Sequence, residues 1–185
     1  MRQSRYLYLE NREVRNLSGD EYAVRPFRQG DLDAVIKINL RCLPENYNPA
    51  FYLDLYMNFP ATFIVAEAQG QVVGYVMCRI ERGFSELKRF RLVKKGHIVS
   101  LAVLPEYRKQ GIAVAVTASA MNVMKGLGAD ECFLEVRISN LQAIGLYEKL
   151  GLQQVKEIPY YYKDSETAFV MAVDLATWDE ACYVN

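Results

Sequence analysis

Two hydrophobic periods alternate along this chain, and the switches between them mark its elements. Residues 21–27 alternate, with Tyr22 and Val24 set against charges, and predict a first strand. Leu32, Val35, Ile36, Ile38, Asn39 and Leu40 then recur at helical spacing behind Asp31, the expected N-cap. Leu43-Pro44-Glu45-Asn46-Tyr47 breaks the pattern as a loop, and a second helix over about 49–57 carries Phe51, Tyr52 and Tyr56. Strands at 62–67 and 72–81 flank Gln69-Gly70-Gln71, a tight hairpin signal. Residues 82–95 are basic and read as a connection long for a hairpin. The next strand carries His97, Val99, Leu101 and Val103 on one face and Ile98, Ser100 and Ala102 on the other, so both faces are expected to be covered.

Pro105 forces a turn, and Arg108-Lys109-Gln110-Gly111-Ile112-Ala113 opens an apolar helix that Gly126-Leu127-Gly128 ends. A strand at 131–138, a helix capped by Ser139 or Asn140 and stopped at Gly151, and strands at 152–158 and 168–173 complete the pattern. The order predicts a mixed α/β fold, with a mostly antiparallel sheet and helices on both faces. Residues 1–20 are charged and irregular and predict a flexible arm. The domain is expected over 21–174, and 175–185 read as a frayed tail.

Composition narrows the classes. A chain of 185 residues suits one domain. A formal net charge of zero argues against a whole-domain nucleic-acid binder, so no specific nucleic acid is expected. There is no signal-peptide pattern and no membrane-spanning run, so a cytoplasmic protein without a membrane partner is expected. Cys42, Cys78, Cys132 and Cys182 lack metal-ligand spacing and the chain has one histidine, so no metal site is expected. A monomer is the expected state.

The turn after the strand at 97–103 carries the first candidate chemistry. Amides at a helix N-terminus lack internal partners and carry the positive end of the macrodipole. Gly111 lets a ligand approach the backbone, Ala113 keeps the first turn slim, and Arg108 adds charge. Together they suit a pyrophosphate. A solvated basic turn is the alternative.

The spacing Arg108-x-x-Gly111-x-Ala113, directly after Leu101-Ala102-Val103 and a proline turn, resembles the acetyl-CoA signature of the GNAT superfamily of N-acetyltransferases. Four further stretches narrow the resemblance. They are Leu43-Pro44-Glu45-Asn46-Tyr47, the segment Gly96 to Val103, Leu134-Glu135-Val136-Arg137-Ile138-Ser139-Asn140, and the tyrosines before the last strand. In this order, over about 22–173, they are similar to the catalytic subunit of NatA-type N-terminal protein acetyltransferases in its archaeal form. The family often has Tyr-Tyr-x-Asp-Gly-Glu-Asp where this chain has Tyr161-Tyr162-Lys163-Asp164-Ser165-Glu166-Thr167.

The resemblance implies a seven-stranded GNAT sheet and acetyl transfer from acetyl-CoA, without a metal, to the α-amine of protein N-termini or nascent chains, with the ribosome as a candidate partner. A free α-amine has a pKa of roughly 7.7–8.0 against about 10.4 for lysine, so deprotonation needs only modest help. His97, Glu135 and Glu45 are implied as the base and its partners, and Tyr147 as the acid for the leaving thiolate. Leu101, Ala102 and Val103 would run beside the pantetheine. Arg108, Lys109, Gln110, Gly111, Ile112 and Ala113 would surround the pyrophosphate, with Asn140 and Tyr147 completing the cofactor side. Leu43, Pro44, Glu45, Tyr47, Arg137, Tyr161 and Tyr162 would line the peptide slot.

Each residue also has a plain structural alternative: a loop acid for Glu45, a packed imidazole for His97, an ion pair for Glu135 and Arg137, an N-cap for Asn140, core for Tyr147. The basic stretch at 82–95 is a solvated hairpin or a contact for ribosomal RNA or CoA phosphates. A GNAT enzyme acting on a small amine or lysine is the rival activity, and a non-catalytic acyl-CoA sensor the rival class.

Overall fold

The computed structural model describes residues 12–15 and 21–182. Its elements are β1 (Arg12–Arg15), β2 (Glu21–Pro26), α1 (Leu32–Cys42), α2 (Pro49–Asn58), β3 (Phe63–Ala68), β4 (Gln71–Phe84), β5 (Leu92–Val103), α3 (Ile112–Gly126), β6 (Glu131–Arg137), α4 (Leu141–Lys149), β7 (Gln153–Ile158) and β8 (Ala168–Asp174). The hydrogen-bonded strand order is β1-β2-β3-β4-β5-β6-β8-β7, with β5 and β6 parallel. The seven expected strands are β2 to β8. An eighth, β1, pairs antiparallel with β2 inside the stretch expected to be a loose arm. Its backbone covers what would otherwise be the open edge of β2. The rest of residues 1–20 lies outside the described residues.

The chain forms two compact units, one running through Arg79 and returning with residues 99–123, the other made of residues 80–98 and 124 onward. The first is built on Phe27, Val35, Ile38, Tyr52, Leu55, Phe63, Val65, Tyr75 and Met77, all buried. Phe27 stacks on Phe63 with ring centroids 4.0 Å apart. Asp31 occupies the expected N-cap position of α1, but its side chain does not cap that helix. It accepts instead from Arg25 at 2.7 and 2.9 Å and from the Arg28 amide at 2.7 Å. A buried guanidinium needs a carboxylate more than a helix needs a cap. Gln69 and Gly70, at φ 52° and 73°, make the tight β3–β4 turn.

The second unit packs Phe133, Val170 and Ala172 with Leu87, Val155 and Ile158. β4 and β5 run to Phe84 and from Leu92, so the expected long connection over 82–95 shrinks to residues 85–91. Part of the charge that suggested a loop is paired within the unit, as Lys88 is with Asp174 at 2.8 Å. Glu131 is buried and accepts from Ser85 Oγ at 2.6 Å and the Glu86 amide at 2.7 Å. Glu86 takes Lys95 at 2.9 Å and Lys156 at 2.7 Å. The predicted tail is also packed as far as Trp178. Leu175 and Trp178 are buried, and the Trp178 indole donates to the Leu150 carbonyl at 3.0 Å. Lys125 bonds the Trp178 carbonyl. A tail that ends in a buried indole is read as loose only because it lacks periodicity.

Candidate active site

The first unit holds the end of β5 and the turn that follows. Ala102 and Val103 are buried and Leu101 is half-buried. Gly74 of β4 lies against this stretch so closely that a Cβ there would meet Val103 Cγ2 at 3.0 Å and the Ala102 carbonyl at 3.1 Å. The helix does not begin at Arg108 as the sequence suggests. Pro105–Tyr107 is a 3-10 turn, and α3 starts at Ile112. Between them Lys109 and Gly111 take left-handed backbone, at φ 61° and 82°, which ends the turn before the helix can nucleate. The Arg108 Nε donates back to the Val103 carbonyl at 3.0 Å, fastening this loop to the end of β5. Gln110 bonds the Glu106 carbonyl at 3.3 Å. The amides of Ile112 and Ala113 open the 15-residue α3 and point out of it, behind an exposed glycine. These are the features an anionic ligand requires, with arginine and lysine flanking them.

The loop after α1 lies in the same unit. Leu43, Glu45 and Tyr47 are half-buried and Pro44 is exposed. Tyr47 stacks on Phe51 at 4.8 Å, and its hydroxyl donates to the Val99 carbonyl of β5 at 3.4 Å. This loop is therefore tied to the strand rather than solvated at random.

The second unit brings His97 and Glu135 together. Their Nε2 and Oε2 atoms are 2.7 Å apart, with side chains only 11% and 15% exposed. The pairing follows from register: parallel β5 and β6 place His97 beside Phe133, and Glu135 follows Phe133 on the same face. The imidazole stacks on Phe133 at 4.4 Å and 7°. An ionised carboxylate only accepts, so the neutral ring carries its hydrogen on Nε2. That assigns the lone pair to Nδ1, which is buried with no protein partner among the described residues. A desolvated, oriented imidazole nitrogen of this kind can accept a proton from a substrate directly or through one water.

Arg137 continues the same face of β6. It bonds Asp164 at 2.8 Å and also Glu166, and its guanidinium lies 4.0 Å from the centre of the Tyr162 ring. Glu166 in turn accepts from the Ser139 amide at 3.0 Å. Arg137 thus reaches the β7–β8 loop while Glu135 turns to His97. The loop keeps its turn without the glycine of the related motif: Ser165 itself adopts φ 66°. Tyr162 is half-buried, Tyr161 is 45% exposed, and their rings meet edge to face at 5.0 Å. Asn140, not Ser139, caps α4 by accepting from the Ala143 amide at 3.2 Å, and Tyr147 is buried on that helix. Among the described residues no three metal-ligating side chains cluster.

Sequence patterning missed Phe133 as the surface on which His97 is laid, although its place two residues before Glu135 was the available signal. It also missed Tyr75, which meets both Asn39 and Ser100 in the interior of the first unit. The signal there was an asparagine on the inward face of α1, four residues from Val35.

The acetyltransferase (GNAT) family profile matches residues 32–152. An N-alpha-acetyltransferase of Sulfurisphaera tokodaii is 50% identical over 159 residues, covering 85% of this chain and 95% of that protein. Among solved structures, Ard1 from Thermoplasma volcanium superposes with a TM-score of 0.73 at 28% identity, covering 83% of this chain and 97% of that one. Chaetomium thermophilum Naa20 in complex with a bisubstrate analogue gives 0.73 at 33% identity, covering 82% and 85%.

Proposed function

The chain belongs to the acetyltransferase (GNAT) family, and on that premise we propose that the His97–Glu135 pair serves the transfer of an acetyl group from acetyl-CoA to the α-amine of protein N-termini. The protein is an Nα-acetyltransferase, and acetyl-CoA is its cosubstrate. The observation that carries the site assignment is the buried Nε2–Oε2 contact of 2.7 Å, which leaves Nδ1 as the acceptor. An α-amine titrates near ~8, so an imidazole and a water suffice to remove its proton, whereas a lysine ammonium near ~10.4 asks for more.

The cosubstrate's phosphates belong at Arg108, Lys109, Gln110, Gly111, Ile112 and Ala113, where backbone amides and two cations meet. Its pantetheine runs along Leu101, Ala102 and Val103, with the Leu101 amide facing the thioester oxygen. The Asn140 carboxamide spends its oxygen on the helix cap, so its nitrogen is the group offered to the pantetheine. Tyr147, buried on α4, is the proton donor to the thiolate. For the acceptor amine we assign Leu43, Pro44, Glu45 and Tyr47 in the first unit and, in the second, Tyr161 and Tyr162 on the loop that Arg137 holds. We place the reaction in the cytosol, on nascent or finished chains, with a single copy as the working unit. Exposed Arg82, Arg89 and Arg91 of the β4–β5 hairpin are the proposed contact with ribosomal RNA.

One assay tests the central claim. Acetyl-CoA is supplied with peptides that differ at the first two residues, some N-terminally blocked but containing lysine. Acetylation of the free N-termini alone is expected; acetylation confined to the blocked peptides overturns the α-amine assignment. Reversing the charge of Arg89 and Arg91 is expected to weaken ribosome co-sedimentation, and unchanged sedimentation removes that contact.

A further inference from the structure

In the first unit, three side chains reach β5 at successive points from α1, the loop after it and β4. The Tyr47 hydroxyl donates to the Val99 carbonyl at 3.4 Å, and the Cys42 thiol to the Val103 carbonyl at 3.6 Å. Between these points runs a buried chain. Asn39 Nδ2 donates to the Tyr75 hydroxyl at 2.9 Å, and that hydroxyl lies 2.8 Å from Ser100 Oγ. Asn39, Tyr75 and Ser100 are 1%, 0% and 7% exposed.

Chemistry fixes the direction of the chain. An amide nitrogen only donates, so the Tyr75 oxygen accepts from it. Turning the Asn39 amide over would leave two N–H donors unmet in the interior in place of one N–H and one carbonyl oxygen. Burial pushes the Tyr75 phenol well above its ordinary range, against the smaller opposing pull of its bonds to Ser100 and Asn39, so it keeps its proton. That proton goes to Ser100. The serine oxygen is thus an acceptor here, held by a rigid ring anchored on β4.

Stability does not explain this arrangement. A fully satisfied polar chain in a core adds little over apolar residues of the same shape, and this one is not fully satisfied. Asn39 Oδ1 and the Tyr52 hydroxyl are buried without partners among the described residues. Buried polar groups that break the rule of satisfaction cluster where a function requires them. The position of this chain says which function. Ser100 sits between Val99 and Leu101 on β5, and Cys42 and Tyr47 flank the loop that carries Glu45.

We propose that Tyr75, together with Asn39, is a positioning residue for acetyl transfer, holding Ser100 and thereby the Val99–Leu101 main chain at the setting that receives the acetyl thioester. This rests on the assignment above of the cosubstrate to β5. The same contacts fix the acceptor-side loop to the donor-side strand, so one rigid element sets both.

Tyr75→Phe removes the hydroxyl and keeps the ring. Turnover on an N-terminal peptide is expected to fall about tenfold, with the peptide KM within about twofold of wild type. Ser100→Ala is expected to give the same loss, the double variant no more than either single one, and Ser100→Thr, which keeps a hydroxyl, near-wild-type turnover. A merely structural chain would instead lower Tm and leave kcat per folded molecule alone. Unchanged turnover in Tyr75→Phe, or single losses that multiply in the double variant, would overturn the proposal. Calorimetry supplies a readout independent of the acceptor. Tyr75→Phe is expected to weaken acetyl-CoA severalfold while CoA, which lacks the acetyl carbonyl, binds as before; equal affinity for acetyl-CoA overturns the positioning role. Should Tyr75→Phe not fold, the Ser100 variants give the same two readouts. A wild-type chain that leaves every free N-terminus unmodified sinks the α-amine assignment alone, because the two-ligand comparison still judges Tyr75.

Discussion

Replacing Glu135 with glutamine tests the tautomer on which the proposed base depends. The change keeps the size of the side chain and removes its charge. Wild-type Glu135 accepts from His97 Nε2 at 2.7 Å, so the ring's lone pair is on Nδ1. A glutamine amide can turn its NH2 toward Nε2 and accept nothing from it. The ring then carries its hydrogen on Nδ1, where the base was. Both side chains are mostly buried, at 11% and 15% exposure, so water does not restore the balance cheaply. A charge-assisted hydrogen bond of this kind is worth about 1.5–3 kcal/mol. If it is expressed wholly in transfer, kcat/KM falls by roughly 10- to 150-fold. The assay is initial-rate acetylation of a free-N-terminus peptide across pH 6 to 9, beside a thermal melt. His97→Ala should lose about 100-fold or more, as removal of a general base does. The double variant should be no worse than His97→Ala, since the pair acts as one unit. Glu135→Gln activity above half of wild type, with a Tm within a degree or two, would refute both the tautomer and the pair's role.

Other perturbations separate the remaining parts. Arg108→Glu both reverses a charge and cuts the tie to the Val103 carbonyl, so the acetyl-CoA KM should rise at least about tenfold with kcat nearly kept, as steady-state kinetics with acetyl-CoA varied will show. Gly74→Ala presses a methyl against the Ala102 carbonyl and Val103, which should cost about 1–3 kcal/mol, lower Tm and weaken coenzyme binding by calorimetry. Ser165→Gly relieves left-handed backbone that costs a non-glycine residue roughly 1–2 kcal/mol. Part of that gain is lost to unfolded-chain entropy, so Tm should rise by a degree or two. Burial works to raise the Asp31 carboxyl, but Arg25 and the Arg28 amide outweigh it and hold it below its ordinary range. Glu86 is held down in the same way by Lys156 and Lys95. A depressed folded pKa gives stability above the unfolded value of about 4 that drains as pH falls through the folded one. Melts from pH 5 to 2.5 should show this loss, and Asp31→Asn should flatten it while lowering Tm at neutral pH.

Where periodicity carried the information, the sequence sufficed. Helices α1 and α2 and the β3–β4 turn lie within a residue or two of their expected places, because apolar spacing decides them, whereas β5 begins at Leu92, well before the expected start at 97. The second unit was harder. Lys95 and Glu86 look like part of a solvated charge run in one dimension, and only the fold reveals that they pair under a hairpin whose Ser85 donates to the buried Glu131. Arg108 was assigned to a helix because nothing local announces that Lys109 will adopt φ 61°. His97 and Glu135 are 38 positions apart, and only the parallel register of β5 and β6 makes them neighbours. Their partnership was available from the family resemblance and not from spacing. Asn39, Tyr75 and Ser100 illustrate the same limit, since each falls on an inward position that a core residue would also fill.

The buried indole near the chain's end has a practical use. Trp178 is the only tryptophan in 185 residues, 2% exposed and hydrogen-bonded to Leu150. Its emission therefore reports one place: blue-shifted while the indole stays buried beside Leu150, red-shifted once water reaches it. An optical melt can thus follow the second unit in every variant described above.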